Sequence, residues 1–261
     1  MPYIVKVIAD SVNDNGDRLT TIEAVYPRFI HSELLTHRVF SRSSSSSRAI
    51  PIKKLINAVK SDPVTPVEWG SNCAGMQSKE LLTGDKLIEA HRAWMSAVGS
   101  AIYHAEWLAD CGVHKQLANR VIEPFSWITT VISTTEWINF FKLRCHKDAQ
   151  PEMRKLAEMI LDVRNASTPV HSFCHLPYTT TDEKNTCSLD DLFKKSTARC
   201  ARTSYLRQDE IPCFEKDCGL HDMLKEKEHW SPFEHVAVQS TTSEKIGNFT
   251  GWTQYRHLIG G

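Results

Sequence analysis

The sequence lacks most of the features that would set it apart from ordinary globular proteins. It has no excess charge, with 31 Lys+Arg against 31 Asp+Glu over 261 residues. That balance argues against a nucleic-acid coat or a membrane-surface protein, so any anion binding must come from local clusters. No apolar run is long enough to span a bilayer, and Met1–Asp10 holds no charged-then-apolar leader. Cys73, Cys111, Cys145, Cys174, Cys187, Cys200, Cys213 and Cys218 are scattered and form no CxxC pair. In a chain of this length they read as reduced thiols of a cytoplasmic protein rather than a disulfide framework. No internal repeat of solenoid length is present.

What remains is an ordinary mix, 41% apolar and 24% charged, with ample capacity for a core. Tyr3–Ile8 and Thr20–Val25 read as strands joined at Asp14-Asn15-Gly16, a hairpin turn that tolerates positive φ. Phe29, Ile30, Leu34 and Leu35 predict a helix to Arg38, after which Ser41–Ser47 breaks the periodicity. Further helices are expected at Leu81–Leu108, Thr134–Leu143 and Pro151 to about Arg164, the last with proline in its first turn. Thr180–Asp191 reads as a polar connecting loop, followed by a helix around Gly219–Glu228 and a strand at His235–Ser240. Helices thus dominate over a small, mainly antiparallel sheet, and the expected class is a single α+β domain over residues 1–261.

Three clusters can carry chemistry. Thr36 to Arg48 packs three arginines and six serines into a turn-forming run, donors that suit a phosphate dianion. A flexible Ser-rich linker is the competing reading, but apolar residues on both sides argue against it. His229-Trp230-Ser231-Pro232-Phe233-Glu234-His235 joins imidazoles, a carboxylate and a hydroxyl to two aromatic rings. Its histidines do not have a common zinc spacing, and neither do His171, Cys174, His175 or Cys213, Cys218, His221. Arg120, within Ala118–Pro124, and Arg144, after an apolar helical face, complete the set.

Taken together, these clusters resemble the flavin-dependent thymidylate synthases. That family's signature is Arg-His-Arg, seven residues, Ser, and Arg two positions later; His37-Arg38, Ser46 and Arg48 keep this register. Arg120 and Pro124 match the family's Ala-Arg-x-x-Leu-Pro element, and Phe140–Arg144 followed by Ala149-Gln150 is similar to its Asn-Phe-Leu-Asn-Leu-Arg…Ala-Gln helix. Cys200-Ala201-Arg202-Thr203-Ser204-Tyr205 and His229–His235 resemble the Ala-Ala-Arg-x-Ser-Phe and His-x-Thr-Pro-Phe-Glu-His elements. Those two elements precede the signature in the family and follow it here, which resembles a circular permutation.

The resemblance implies one-carbon transfer from methylenetetrahydrofolate to C5 of a pyrimidine deoxynucleotide, dUMP first and dCMP next, with FAD as hydride source and NADPH as its reductant. A hydroxymethyl product on either base, or a non-catalytic nucleotide- or flavin-binding homologue, are the alternatives. It places the nucleotide on Glu33, Ser44, Ser46, Ser47, Arg48, Arg120 and Arg144, with Arg144 and Ser46 catalytic. Flavin contacts fall on His37, Arg38, Asn139, His229, Ser231 and Glu234, and no metal is implied. It also implies a homotetramer with sites built across subunits and no nucleic-acid or membrane partner. The departures lie around this same site: Thr36 and Thr135 stand where the family has arginines, Ser43-Ser44 where it has Asn-Glu, Glu33 for Gln and Asp148 for His. Arg256 is a candidate replacement for a missing cation; a frayed C-terminus is the competing reading.

Overall fold

The computed structural model describes residues 3–204 and 213–260. Its first two strands, β1 (Ile4–Val12) and β2 (Arg18–Pro27), form the expected hairpin and run longer than their apolar cores. Gly16 sits at φ 85, and the Asn13 side chain accepts the amides of Asn15 and Asp17, fixing the turn. A short 3-10 turn leads into α1 (His31–Leu35), then β3 (Ser41–Ser44), α2 (Ile52–Ser61), α3 (Gly84–Asp110) and α4 (Lys115–Ala118). A 3-10 turn, Asn119–Phe125, precedes β4 (Trp127–Thr134), α5 (Ile138–Arg144) and α6 (Pro151–Ala166). The remainder is β5 (Val170–His171), β6 (Cys174–His175), α7 (Thr181–Thr186), α8 (Leu189–Ala201), α9 (Phe214–Glu226), β7 (Ala237–Gln239), β8 (Lys245–Ile246), β9 (Phe249–Thr250), β10 (Trp252–Gln254) and α10 (Tyr255–Leu258).

The main sheet has the order β3-β4-β2-β1-β5 and is antiparallel except for the β1–β5 pair. Side-chain alternation gives β2 two different faces. Ile22, Ala24 and Tyr26 pack with Ile128 and Ile132 of β4 against Leu34, Trp137, Phe140, Met153, Leu156 and Ile160. On the opposite face Leu19 packs with Ala237, Phe249 and Trp252. Beside it lies a polar layer. His175 shares hydrogen bonds with Ser11 (2.9 Å) and Thr21 (2.7 Å), Thr21 with Ser133 (2.5 Å), Ser133 with His235 (2.9 Å) and His235 with Ser43 (3.0 Å). All six residues are buried, and the chain of bonds crosses β1, β2, β4 and β3 in turn.

Several expectations are corrected. The serine run does not break the chain throughout: Ser41–Ser44 is an edge strand whose hydroxyls find partners in Gln254, His235 and Thr130. The Thr180–Asp191 stretch holds α7 and the start of α8, because Thr180 and Ser188 are N-caps and Glu183 completes a capping box. The helix after Pro27 stops at Leu35, and the one expected from Thr134 begins at Ile138, since Thr134 ends β4. The C-terminus is not frayed: β10 pairs with β7 and Trp252 is fully buried.

The buried imidazoles predict an acid-side loss of stability. Burial pushes His175 and His235 from the usual 6.5 down to about 3. Between those values the unfolded chain binds protons that the folded chain refuses. Stability therefore falls as pH drops below about 6.5, by roughly 1.4 kcal/mol per pH unit for each histidine, and is flat in these groups above it. Urea unfolding at pH 7 and pH 5 should show this difference shrinking in the His175→Gln/His235→Gln variant. An equal loss in that variant would place the acid sensitivity elsewhere.

Candidate active site

The end of α5 and the end of α1 meet through Arg144. Trp137 and Phe140 anchor α5 in the core, so Arg144 at its last turn reaches across to the sequence that follows α1. Its Nε donates to His37 Nε2 at 2.9 Å, its Nη2 donates to Thr36 Oγ1 at 3.3 Å, and its Nη1 lies 3.8 Å from Glu33 Oε2. His37 is therefore a buried, neutral acceptor. Burial, then the positive charges of Arg144 and Arg42, hold its pKa down to about 4. Burial raises the Glu33 carboxyl above its ordinary value although Arg144 opposes the shift. Glu33, Thr36, His37 and Arg144 thus form one contiguous group.

The serine and arginine candidates form a second group at the end of β3. Ser44 shares a 3.0 Å hydrogen bond with Thr130, which in turn bonds Tyr26 at 2.8 Å. The following turn is held from below: Asn119 Nδ2 donates to the carbonyls of Ser47 (2.7 Å) and Ile50 (2.9 Å). That places Arg120, the next residue, beside the Ser46–Arg48 turn. Ser47 is buried, while Arg48 and Arg120 are exposed. Arg120 Nη1 pairs with Glu123 at 3.0 Å across one helical turn, a half-exposed ion pair of at most about 1 kcal/mol that an anion can exchange. Neither Arg48 nor Arg120 is ion-paired to the Arg144 group among the described residues.

Of the flavin candidates, Ser231 and Glu234 lie in a turn that packs against β3. Arg42 Nη1 donates to the carbonyls of Leu35 and His37, and the Glu234 charge reaches the Arg42 guanidinium. Arg256 Nη1 donates to Glu234 Oε1 at 2.6 Å, so the C-terminal arginine stands at this edge. Arg38, Asn139, His229 and Ser231 are exposed, and their side chains make no hydrogen bond among the described residues. These uncommitted donors are of the types from which phosphates and hydroxyls accept hydrogen bonds. Arg202, in the Cys200–Tyr205 block, pairs with buried Asp217 at 2.9 Å; Tyr205 lies outside the described residues.

One part of the site was not legible as motif. Residues 62–83 join α2 to α3 and form a wall facing the α5–α6 connection and the start of α6. Gln77 Nε2 donates to Asp148 O at 2.7 Å, the Val67 amide donates to Glu152 Oε1 at 2.7 Å, and Arg154 pairs with Glu68. Between the two walls is a cleft of about 1120 Å³, with Glu33 and Arg144 in its lining. Pro63, Pro66, Gly70 and Gly75 mark the segment as a loop, and only the fold shows what it faces.

Residues 19–170, more than half of the chain, match the family model of the thymidylate synthase complementing proteins. The chain belongs to that family. No curated protein sequence matches it. Among solved structures it is similar to the UMP/dUMP methylase PolB from Streptomyces cacaoi, bound with 5-Br dUMP and, in a second structure, with 5-Br UMP. In both cases the TM-score is 0.51 at 15% identity over 63% of this chain, covering 90% and 89% of the other chain. At that identity the likeness speaks for the fold, a mixed helix-and-sheet architecture.

The family match stops at residue 170, yet His229–His235 is packed on the matched part through the His235–Ser43 bond. The segment that follows the matched residues is therefore in contact with β3. The Arg144–His37 contact yields a direct test. In Arg144→Ala, loss of the neighbouring positive charge should raise the His37 pKa while burial keeps it below 6.5, read by NMR titration of the imidazole. An unmoved His37 titration would show that the pair is not formed in solution.

Proposed function

We propose that the chain transfers a one-carbon unit from methylenetetrahydrofolate to C5 of a pyrimidine deoxynucleotide, with dUMP the leading substrate and dTMP the product. The observation that carries this reading is the Arg144–His37–Glu33 group, a fixed cation held beside a cleft by a neutral imidazole. A cation placed at a pyrimidine carbonyl stabilises charge that develops on the ring as C5 attacks, and a preorganised one does so without reorganisation. Arg144 is the residue in that role. Ser46, Ser47, Arg48 and Arg120 take the nucleotide phosphate and sugar, where planar, permanently charged donors suit a dianion. Ser44 and Glu33 border the nucleotide. Family membership and neighbours crystallised with bromouridine nucleotides support this reading.

His37, Arg38, Asn139, His229, Ser231 and Glu234 would hold FAD, with Arg256 beside them in place of an arginine that Thr36 lacks. When bound, the flavin supplies the hydride that reduces the transferred methylene to methyl, and NADPH supplies the electrons. The protein's part is to fix the nucleotide and to keep His37 unprotonated. A homotetramer in which neighbouring copies complete each other's sites is part of this reading. One catalytic unit over the whole chain, acting in the cytoplasm, completes the proposal; no helix of the described residues is long and apolar enough to cross a membrane.

Arg48→Ala and Arg120→Ala should each weaken dUMP binding by about 1.5–3 kcal/mol, measured by calorimetry. Unchanged affinity in both would sink the phosphate assignment. His229→Ala should lower flavin occupancy after gel filtration, and full occupancy would remove that residue from the cofactor site. Incubation with FAD, NADPH, methylenetetrahydrofolate and either dUMP or dCMP, read by product mass, tests the reaction itself. A methyl increment on dUMP is expected; no increment on either nucleotide would overturn the enzymatic reading.

A further inference from the structure

Away from the groups assigned to nucleotide and flavin, a linked network of charges lies where α7, α8 and α9 meet. Glu183 of α7 takes Arg199 at 2.6 Å and Lys195 at 3.1 Å, both from α8. Asp217 of α9, fully buried, takes Arg199 at 3.0 Å and Arg202 at 2.9 Å. Three cations thus share two carboxylates. A positive charge left over in a buried network is costly unless a further acceptor meets it. The acceptor present is a sulfur: Lys195 Nζ donates to Cys187 Sγ at 3.2 Å.

Both members of this pair are held in place. Cys187 ends α7, its amide donating to the Glu183 carbonyl at 2.9 Å, and its side chain packs on the core of Leu192 and Phe233. Lys195 is buried, with its ammonium on Glu183 and over the Phe214 ring, 5.2 Å from the centroid. Cys187 is half-buried, so a small oxidant reaches the sulfur. Among the described residues no other cysteine sulfur accepts a bond from a lysine; the Cys73 thiol donates to the Gln77 carbonyl instead.

We propose that Cys187 and Lys195 form a reversible oxidative cross-link in which a single oxygen joins Sγ to Nζ, with dioxygen as the oxidant. The S–H bond, one N–H bond and the O–O bond break, while an S–O and an O–N bond form. Sulfur and nitrogen give up two electrons each, dioxygen takes all four, and its second oxygen leaves as water with the two hydrogens. The extra proton of the ammonium leaves to solvent. The observed separation suits an inserted oxygen, whereas a direct S–N bond would draw the two atoms much closer. The bridge converts the ammonium into a weakly basic nitrogen, so Arg199 and Arg202 remain against Glu183 and Asp217, charge for charge. It also ties the end of α7 to the middle of α8, which runs on into the Arg202–Ser204 turn against β3 and β4. The cross-link is independent of the one-carbon-transfer reading.

The test is intact-mass and tryptic-peptide analysis of the full chain, freed of reductant and held either without oxygen or in air-equilibrated buffer. Exposure to air should raise the mass by one oxygen less two hydrogens. The Cys187 peptide should then be joined to the one that begins at Lys195, with no cleavage after Lys195. Excess dithiothreitol should restore the starting mass and the cleavage, which separates the bridge from its isomer, a sulfinamide that thiols do not reverse. Lys195→Arg keeps a cation beside the sulfur but no primary amine, and should lose the cross-link. Should that variant fold poorly, Cys187→Ala removes only the sulfur and should lose the same mass gain. The proposal is overturned if the air-exposed parent yields Cys187 as a free thiol, a sulfinic acid or a disulfide, with normal cleavage after Lys195. It is equally overturned by a mass gain of this kind that persists in either variant or that dithiothreitol leaves unchanged.

Discussion

β2 has a strand on each edge and a layer on each face, and the candidate site takes its geometry from that enclosure. Its apolar face seats the helices that carry Glu33 and Arg144. Its polar face cannot be left dry, because Thr21 and Glu23 point into a layer with no access to water. The hydroxyl–imidazole chain from Ser11 to Ser43 solves that problem by linking each buried group to the next. Any break in it would leave a buried donor or acceptor unpaired, at about 1–3 kcal/mol. The same chain fastens the C-terminal part of the polypeptide, through His175 and His235, to the strands that bear the serine run.

The elements legible in the sequence are those whose local chemistry is self-sufficient. The β1–β2 hairpin declares itself by Asp14-Asn15-Gly16, and α6 by its apolar spacing and Pro151. β4 does not, because it is buried on both faces and shows no alternation for most of its length. β3 is four residues of serine and arginine and is a strand only because β4 offers it an edge. α7 and the start of α8 look like loop because their capping residues are the polar types that also make turns. The site divides in the same way. Motif resemblance assigned His37 to the flavin and Arg144 to the nucleotide; their contact spans 107 residues of sequence and belongs to the fold.

Electrostatics follows the same local logic. A chain with no net charge still concentrates arginine, and much of that arginine is already satisfied. Arg18 is held by Asp10, Arg199 by Glu183 and Asp217, and Arg202 by Asp217. Against that background the exposed guanidinium of Arg48 and the weakly paired one of Arg120 stand out as available. Availability, rather than the number of cations, is what distinguishes the candidate phosphate site from the structural ion pairs.

The two walls of the cleft belong to different cores. Trp69 packs on Trp94 of α3, whose core includes Val98, Ala101 and Leu55, whereas the α5–α6 wall rests on the core beneath the main sheet. Besides the edge contact of Phe29 with Trp94, what spans the gap is polar: Gln77 to Asp148, the Val67 amide to Glu152, Arg154 to Glu68. Bonds of this kind contribute about 1 kcal/mol each and can be exchanged for water, while the cores on either side cannot be sheared without exposing apolar surface. The aperture is therefore the most compliant dimension of this part of the molecule. Thermal motion that leaves both cores intact will be felt first as breathing of the cleft.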